Sequence, residues 1–352
     1  MKDKRVMLRL APYMKAGFQG SVLYLGFGSI IHTIKDSDAQ LIYLDALSYW
    51  ANPGSVQDLY AYLLNKGYDD GFFKAIVDDI IKRNYVIPLS NYDKDNPFSR
   101  NHLFFNLSGG DPFYIQNKLK NSHVLILGCG GIGNLISVAL ATSGIGKLTL
   151  VDDDEIEQSN LTRQFLFTKK DIGAKKTLIL KRELLERVDC ILINTFEERA
   201  SWELLDKISN IDLIVLSADS LDCLPLINKF CVKNKVPFIN IGYVQDIAVW
   251  GPFYVPGETG CFYCQNIIAN DENLSEDIVS QLQAINTNHQ APSNGGVNML
   301  AASLGFLDIL KFLGEFSTVH SKNKRIGLWT NNLNLEKQDC LYNIKCAICA
   351  NI

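Results

Sequence analysis

The segment Gly128-Cys129-Gly130-Gly131-Ile132-Gly133 constrains this chain more than any other. It follows the continuous apolar run Val124-Leu125-Ile126-Leu127 and precedes a helical pattern over residues 134–143. In a G-x-G-x-x-G segment between strand and helix, the first glycine permits the tight turn. The second lets the backbone approach a phosphate, and the third lets helix pack closely on strand. The helix N-terminus beyond it presents unpaired N–H groups and a partial positive charge. Gly128, Gly130, Gly131 and Gly133 are therefore candidate contacts for a phosphate-bearing nucleotide. Asp152 closes the next strand pattern, Lys147-Leu148-Thr149-Leu150-Val151. It stands ~20 residues beyond the loop, where a carboxylate can hold ribose hydroxyls. The loop alone leaves NAD and ATP both open.

Further buried strands are expected at Asp212–Leu216 and Pro237–Ile241, with helices between them. Continuous apolar strands separated by helices indicate a parallel sheet covered on both faces. The expected class is α/β, with a Rossmann-like domain of mainly parallel sheet over residues 121–352. Residues 297–313 read as an apolar helix. The polar stretch 270–296 reads as an irregular crossover loop, too long for a plain connection. Residues 1–90 read as a separate unit. Strands are expected at Val22–Leu25, Ser29–Ile34 and Gln40–Leu44. Val56, Leu59, Tyr60, Leu63 and Leu64 mark one helix face behind a Ser55 cap, and Phe72, Phe73, Ile76, Val77, Ile80 and Ile81 mark a second. Tyr85-Val86-Ile87 closes the unit as a strand. This order is winged-helix-like α+β. Residues 91–120 read as a polar linker ending in a helix.

A formal net charge of −4 gives no reason to expect nucleic acid or an anionic membrane as partner. No apolar run approaches the ~20 residues of a membrane span, and Met1-Lys2-Asp3-Lys4-Arg5 does not open a secretion signal. Nine cysteines, an odd number in 352 residues, fit a reducing cytoplasmic compartment. Five are isolated and read as small buried apolar residues. The other four form two C-x-x-C pairs, Cys261/Cys264 and Cys346/Cys349. These can supply four thiolates to a tetrahedral zinc or act as redox pairs.

Gly128 to Gly133, Asp152, Asn160-x-x-Arg163-Gln164, Gly173-x-x-Lys176 and Asp219 occur in an order and spacing that resembles the ThiF/MoeB and ubiquitin-activating adenylating superfamily. The resemblance spans roughly residues 95–350. It implies ATP rather than NAD, with Mg²⁺ on Asp219, ribose on Asp152, Gln164 beside the nucleotide, and Asn160 near the phosphates. Arg163 offers a planar fork and Lys176 a point charge to a triphosphate whose pyrophosphate must leave. Arg100 matches an arginine that members insert into a neighbouring subunit's site, which implies a homodimer with composite sites. The resemblance also implies a structural zinc on Cys261, Cys264, Cys346 and Cys349.

Many members of that superfamily pass the activated carboxylate to a cysteine after the first C-x-x-C pair. This chain has no cysteine between Cys264 and Cys340, which argues against a thioester step. Residues 119–146, Ser159–Gln164, Ile239–Val249 and Lys324–Trp329 are similar to the branch that matures microcin C and pantocin A. Those enzymes act on ribosomally made peptides, and residues 1–90 are similar in element order to their precursor-recognition domains. There a peptide can add as a strand to a sheet edge. The implied activity is ATP-dependent adenylation of a carboxyl or carboxamide group on a precursor peptide. It leads to a peptidyl-nucleotide or to glutamate cyclisation. Adenylation of a sulfur-carrier C-terminus is the alternative. A winged-helix regulator that binds NAD would leave Arg163, Lys176 and the cysteine pairs without a role.

Overall fold

The computed structural model describes residues 6–218, 222–265, 275–287 and 291–350. Two compact units divide the chain, Met1–Gln116 and Asn117–Ile352.

The first unit runs β1 (Leu8–Leu10), β2 (Ala16–Gln19), β3 (Val22–Leu25), β4 (His32–Ile34), α1 (Ser37–Tyr49), α2 (Val56–Asn65), α3 (Asp70–Lys82), β5 (Val86–Pro88) and α4 (Ser99–Leu107). It then enters α5 (Pro112–Lys120), inside which the division falls. Strands β2, β3 and β4 form an antiparallel sheet, with Leu23 opposite Ile34. Strand β1 pairs with β5, with Leu10 opposite Val86. Helices α1, α2 and α3 start where short polar side chains satisfy their free N–H groups. Asp36 accepts from Ala39, Ser55 from Asp58 and Asp69 from Phe72. Their apolar faces meet around Trp50, Leu59, Leu63, Phe73, Val77 and Tyr85.

Two expectations are corrected here. Gln40–Leu44 is helical, within α1, and not a strand. Ala39, Ile42, Tyr43, Ala46, Leu47 and Trp50 are buried at helical spacing, and the Asp36 cap starts the turn ahead of them. A five-residue window cannot separate the two periods. Gln40 is buried because its Nε2 donates to Ser21 O and Ile34 O, tying the helix to the sheet. The segment 91–120 is mostly helical, in α4 and α5. Asn106 holds its start by donating from Nδ2 to Asn91 O and His102 O. In addition, only His32–Ile34 of the expected Ser29–Ile34 strand is extended, since Gly28–Ile30 forms a 3₁₀ turn.

The second unit continues with β6 (His123–Leu127), α6 (Gly131–Thr142), β7 (Lys147–Val151), α7 (Lys176–Leu185), β8 (Leu192–Phe196), α8 (Trp202–Lys207), β9 (Leu213–Leu216), α9 (Cys223–Asn234), β10 (Phe238–Val244) and β11 (Ile247–Tyr254). It ends with α10 (Glu276–Asn286), α11 (Gly295–Gly314), β12 (Lys324–Trp329) and β13 (Leu335–Asp339). One eight-stranded sheet has the order β13-β12-β11-β10-β9-β6-β7-β8. The five strands from β10 to β8 are parallel, and β11 to β13 extend the sheet antiparallel. The chain builds outward from β6 to β8, then returns to place β9 on the other side of β6. Ligands of open α/β sheets bind at the carboxyl ends of the strands flanking such a reversal. Here those ends carry Gly128 and Ser217.

The stretch 270–296 is also corrected. Residues 266–274 and 288–290 lie outside the described residues, but α10 occupies Glu276–Asn286 and α11 begins at Gly295. Ile278, Leu282 and Ile285 provide helical spacing within the polar sequence. The expectation that no apolar run approaches a membrane span is corrected too, since helix α11 is long and apolar enough, by length and composition, to cross a membrane. It packs instead on α6, β10 and β11 and buries Asn298 and Asp308, as a core helix does.

Gly133 sits where α6 crosses the turn. A Cβ there would collide with Gly128 O and lie 2.9 Å from Ser217 Oγ. Gly133→Ala is expected to cost about 1–3 kcal/mol, read as a lower urea midpoint, and an unchanged midpoint would show that the turn relaxes freely.

Candidate active site

A cleft of about 910 Å³ opens at the strand-order reversal. Its floor is the glycine loop. Gly128 takes φ +90°, and a Cβ on it would stand 2.7 Å from Ala218 N. Only glycine accepts both that conformation and that backbone contact. Ser217 Oγ donates to Gly128 O at 2.9 Å, fixing the two strand ends to each other. Gly130 and Gly131 line the cleft at the start of α6, whose first N–H groups have no helical acceptor.

Asp152 leaves the end of β7 and turns toward the loop. Its Oδ2 accepts from Cys129 N–H at 2.6 Å and its Oδ1 from Asp154 N–H at 2.9 Å. Burial raises its pKa above the ordinary carboxylate value, against an opposing pull from Lys176. Lys176 opens α7, with Nζ 2.6 Å from Asp154 Oδ2 and 4.0 Å from Asp152 Oδ1. Asn160 sits in a 3₁₀ turn, Gln158–Thr162, where its Oδ1 accepts from Glu157 N–H. Arg163 ends that turn half-buried, with Nη1 donating to Ser159 O. Gln164 is buried on the cleft wall, and its Oε1 has no hydrogen-bond partner.

The structure thus places Gly128, Gly130, Gly131, Asp152, Asn160, Arg163, Gln164 and Lys176 around one cleft. Gly133 lies behind the loop, in the packing of α6. Arg100 is an exposed residue of α4, in the first unit. Asp219, named for magnesium, lies outside the described residues. The Cys129 thiol is buried and pushed well above its ordinary pKa, so it is inert.

Sequence reasoning missed Asp154 and Asn298. Asp154 stood in view in the run Asp152-Asp153-Asp154. Asn298 is 1 % exposed, and its Nδ2 donates to Ser293 Oγ while Oδ1 has no partner. Its amide fills the space a Cβ on Gly131 would need. A lone asparagine near the start of an apolar helix was the available signal.

The four paired cysteines converge. Cys261 Sγ lies 3.6 Å from Cys346 Sγ, and Cys264 Sγ lies 4.0 Å from Cys261 Sγ and 3.4 Å from Cys349 Sγ. Disulfides would need ~2.0 Å. Four thiolates ~2.3 Å from a tetrahedral zinc stand ~3.8 Å apart, so the cluster fits that ion. Burial pushes the Cys261 thiol up. Burial also raises Cys346, but N–H donors of Ile348 and Cys349 outweigh it and bring that thiol below its usual value.

The ThiF family model matches residues 98–346. The chain belongs to the ThiF family, a family of ATP-dependent adenylating enzymes. It is 35% identical over 153 residues to the Escherichia coli sulfur carrier protein ThiS adenylyltransferase, covering 42% of this chain and 60% of that protein. Against the crystal structure of E. coli MccB with MccA-N7isoASN it is 36% identical. That match covers 98% of this chain and 100% of the other, with a TM-score of 0.91. The PaaA structure shares the fold, with a TM-score of 0.70 at 21% identity over 94% of this chain and 99% of that one.

The purified chain is expected to carry about one zinc, measured by atomic emission. Cys264→Ser should release it and lower the Tm by several degrees, whereas metal-free protein with the four thiols intact would refute the zinc reading. Acidification should weaken ATP binding at a higher pH than an ordinary aspartate of pKa ~3.9 allows. The raised pKa keeps Asp152 protonated to higher pH, and the protonated acid gives up acceptor capacity. Asp152→Asn should bind ATP weakly with that acid limb flattened, as isothermal calorimetry across pH would show.

Proposed function

We propose that this protein adenylates a carboxyl or carboxamide group of a ribosomally made precursor peptide, using Mg·ATP, in peptide-antibiotic maturation. One observation carries the reading. The ThiF model begins at residue 98, whereas the E. coli MccB structure matches 98% of the chain at 36% identity, so the likeness extends over the first unit. The sulfur-carrier alternative draws on the curated adenylyltransferases, of which ThiS adenylyltransferase matches 42% of the chain. The missing cysteine between Cys264 and Cys340 weighs against a thiol relay.

In this reading the glycine loop and the N-terminus of α6 receive the phosphates, and Asp152 receives ribose. Arg163 and Lys176 offset negative charge as pyrophosphate departs, with Asn160 near the phosphates and Gln164 beside the nucleotide. Asp219 stands three positions beyond the end of β9 in sequence and would hold Mg²⁺, which supplies further charge neutralisation. The peptide's acyl oxygen attacks the α-phosphorus, and the α–β bridging oxygen leaves with pyrophosphate. The first unit receives the peptide. A homodimer brings Arg100 to a neighbouring copy's site, and the enzyme works in the cytoplasm.

Mass spectrometry of a reaction with ATP and short peptides encoded beside the gene tests this. A peptide heavier by a nucleotide supports the microcin-like outcome, and one lighter by waters the pantocin-like outcome. An unchanged peptide, with adenylation of a Gly-Gly-ending carrier protein instead, overturns the proposal. Lys176→Met should lower pyrophosphate release about 10²-fold or more.

A further inference from the structure

Lys176 is 7 % exposed at its side chain, at the first position of α7. A cation there opposes the partial positive charge of the helix N-terminus, and enclosure strips it of water. Its charge is met by Asp154 Oδ2 at 2.6 Å and, more distantly, by Asp152 Oδ1 at 4.0 Å. These two carboxylates are not equivalent. Asp152 is committed on both oxygens to the N–H groups of Cys129 and Asp154. Asp154 is 63 % exposed and holds Lys176 by one oxygen. Its backbone oxygen accepts the Lys176 N–H at 3.2 Å, which keeps the residue beside the ammonium whichever way its side chain turns.

We infer that Asp154 is a resident counter-ion, which occupies Lys176 in the empty cleft and is exchanged for phosphate oxygens when the nucleotide enters. This positioning role rests on the reading of the cleft as an ATP site. The exposed carboxylate returns to water on release, so the exchange costs little. The buried ammonium never loses an anionic partner. The competition sets nucleotide affinity from below, and it lets Asp154 return to Lys176 as pyrophosphate departs. Asp153 differs, because its carboxylate is held by Arg199 Nε at 2.9 Å.

The inference predicts a gain of binding on removal of a charge. Asp154→Asn should tighten ATP about three- to tenfold, the scale of a partly exposed ion pair, with adenosine affinity unchanged. The gain should vanish in the Lys176→Met background. Asp153→Asn should not reproduce it. Calorimetry of the full chain with ATP and adenosine, in EDTA and in Mg²⁺, reads all of this. If the unmodified protein binds no ATP, the reading of the cleft fails and this inference with it. If it binds ATP and Asp154→Asn leaves that affinity unchanged or weaker, the counter-ion role alone is overturned. A loss confined to Mg²⁺ conditions would overturn it in favour of a metal contact. An equal gain from Asp153→Asn would reduce it to a general charge effect.

Discussion

The backbone-to-backbone contact between Gly128 and the Ser217-Ala218 turn sets what the rest of the second unit can be. A Cβ on Gly128 would lie 2.7 Å from Ala218 N, so the ends of β6 and β9 touch without any side chain between them. Ser217 Oγ closes the contact by donating to Gly128 O and Leu127 O. That proximity forces α6 to leave close to the sheet, where Gly133 must also lack a side chain. It brings the start of α11 near enough for the Asn298 amide to take the space beside Gly131. Asp152 then reaches Cys129 N–H from the neighbouring strand. The space in front of the loop stays open because Gly128, Gly131 and Gly133 carry no side chains where the end of β9, the start of α11 and the turn itself press against them.

Charge in the cleft is arranged on the same frame. Lys176 is enclosed, Arg163 half-buried, and three consecutive aspartates follow β7. An enclosed ammonium without a counter-ion would be costly, so the empty protein needs at least one of these carboxylates beside it. The carboxylate that serves the fold is Asp152, through its two backbone N–H contacts. The carboxylate that can leave is Asp154. Division of labour between neighbouring acids of one type thus follows from which of them the backbone has already engaged.

The parallel half of the fold was legible because its strands are apolar throughout and its loop is rich in glycine, two signals that survive without tertiary knowledge. Gln40–Leu44 was not, since its period shows only when read with Asp36 and Trp50. The helix Glu276–Asn286 was hidden by polar sequence on its open faces. Among site residues, Asp152, Arg163 and Lys176 could be named from order and spacing, and the structure brings them to one cleft. Asn298 could not, since its partner, Gly131, is more than 160 positions away in the chain. Asp154 was visible as a residue, but its pairing with Lys176 depends on the turn that carries α7 back beside β7.

The cysteine cluster and the cleft share a support, and this gives the tail of the chain a bearing on the site. Cys261 and Cys264 follow β11, the first strand of the antiparallel extension, and Cys346 and Cys349 come from the segment beyond β13. Within the first pair, Phe262 N–H donates to Asn228 Oδ1 at 2.9 Å, which ties that pair to the middle of α9. Helix α9 is the same element whose first turns place Cys223 and Leu226 on the cleft wall. Gly260 passes so close to Cys340 O that a Cβ there would stand 2.7 Å from it, so the tail is packed against this segment by its backbone as well as brought to it at the cysteine cluster. A bound zinc would therefore stiffen α9 from its middle, and with it the cleft wall at its start. The cysteine cluster and the cleft are separate chemically and are joined through one helix, α9.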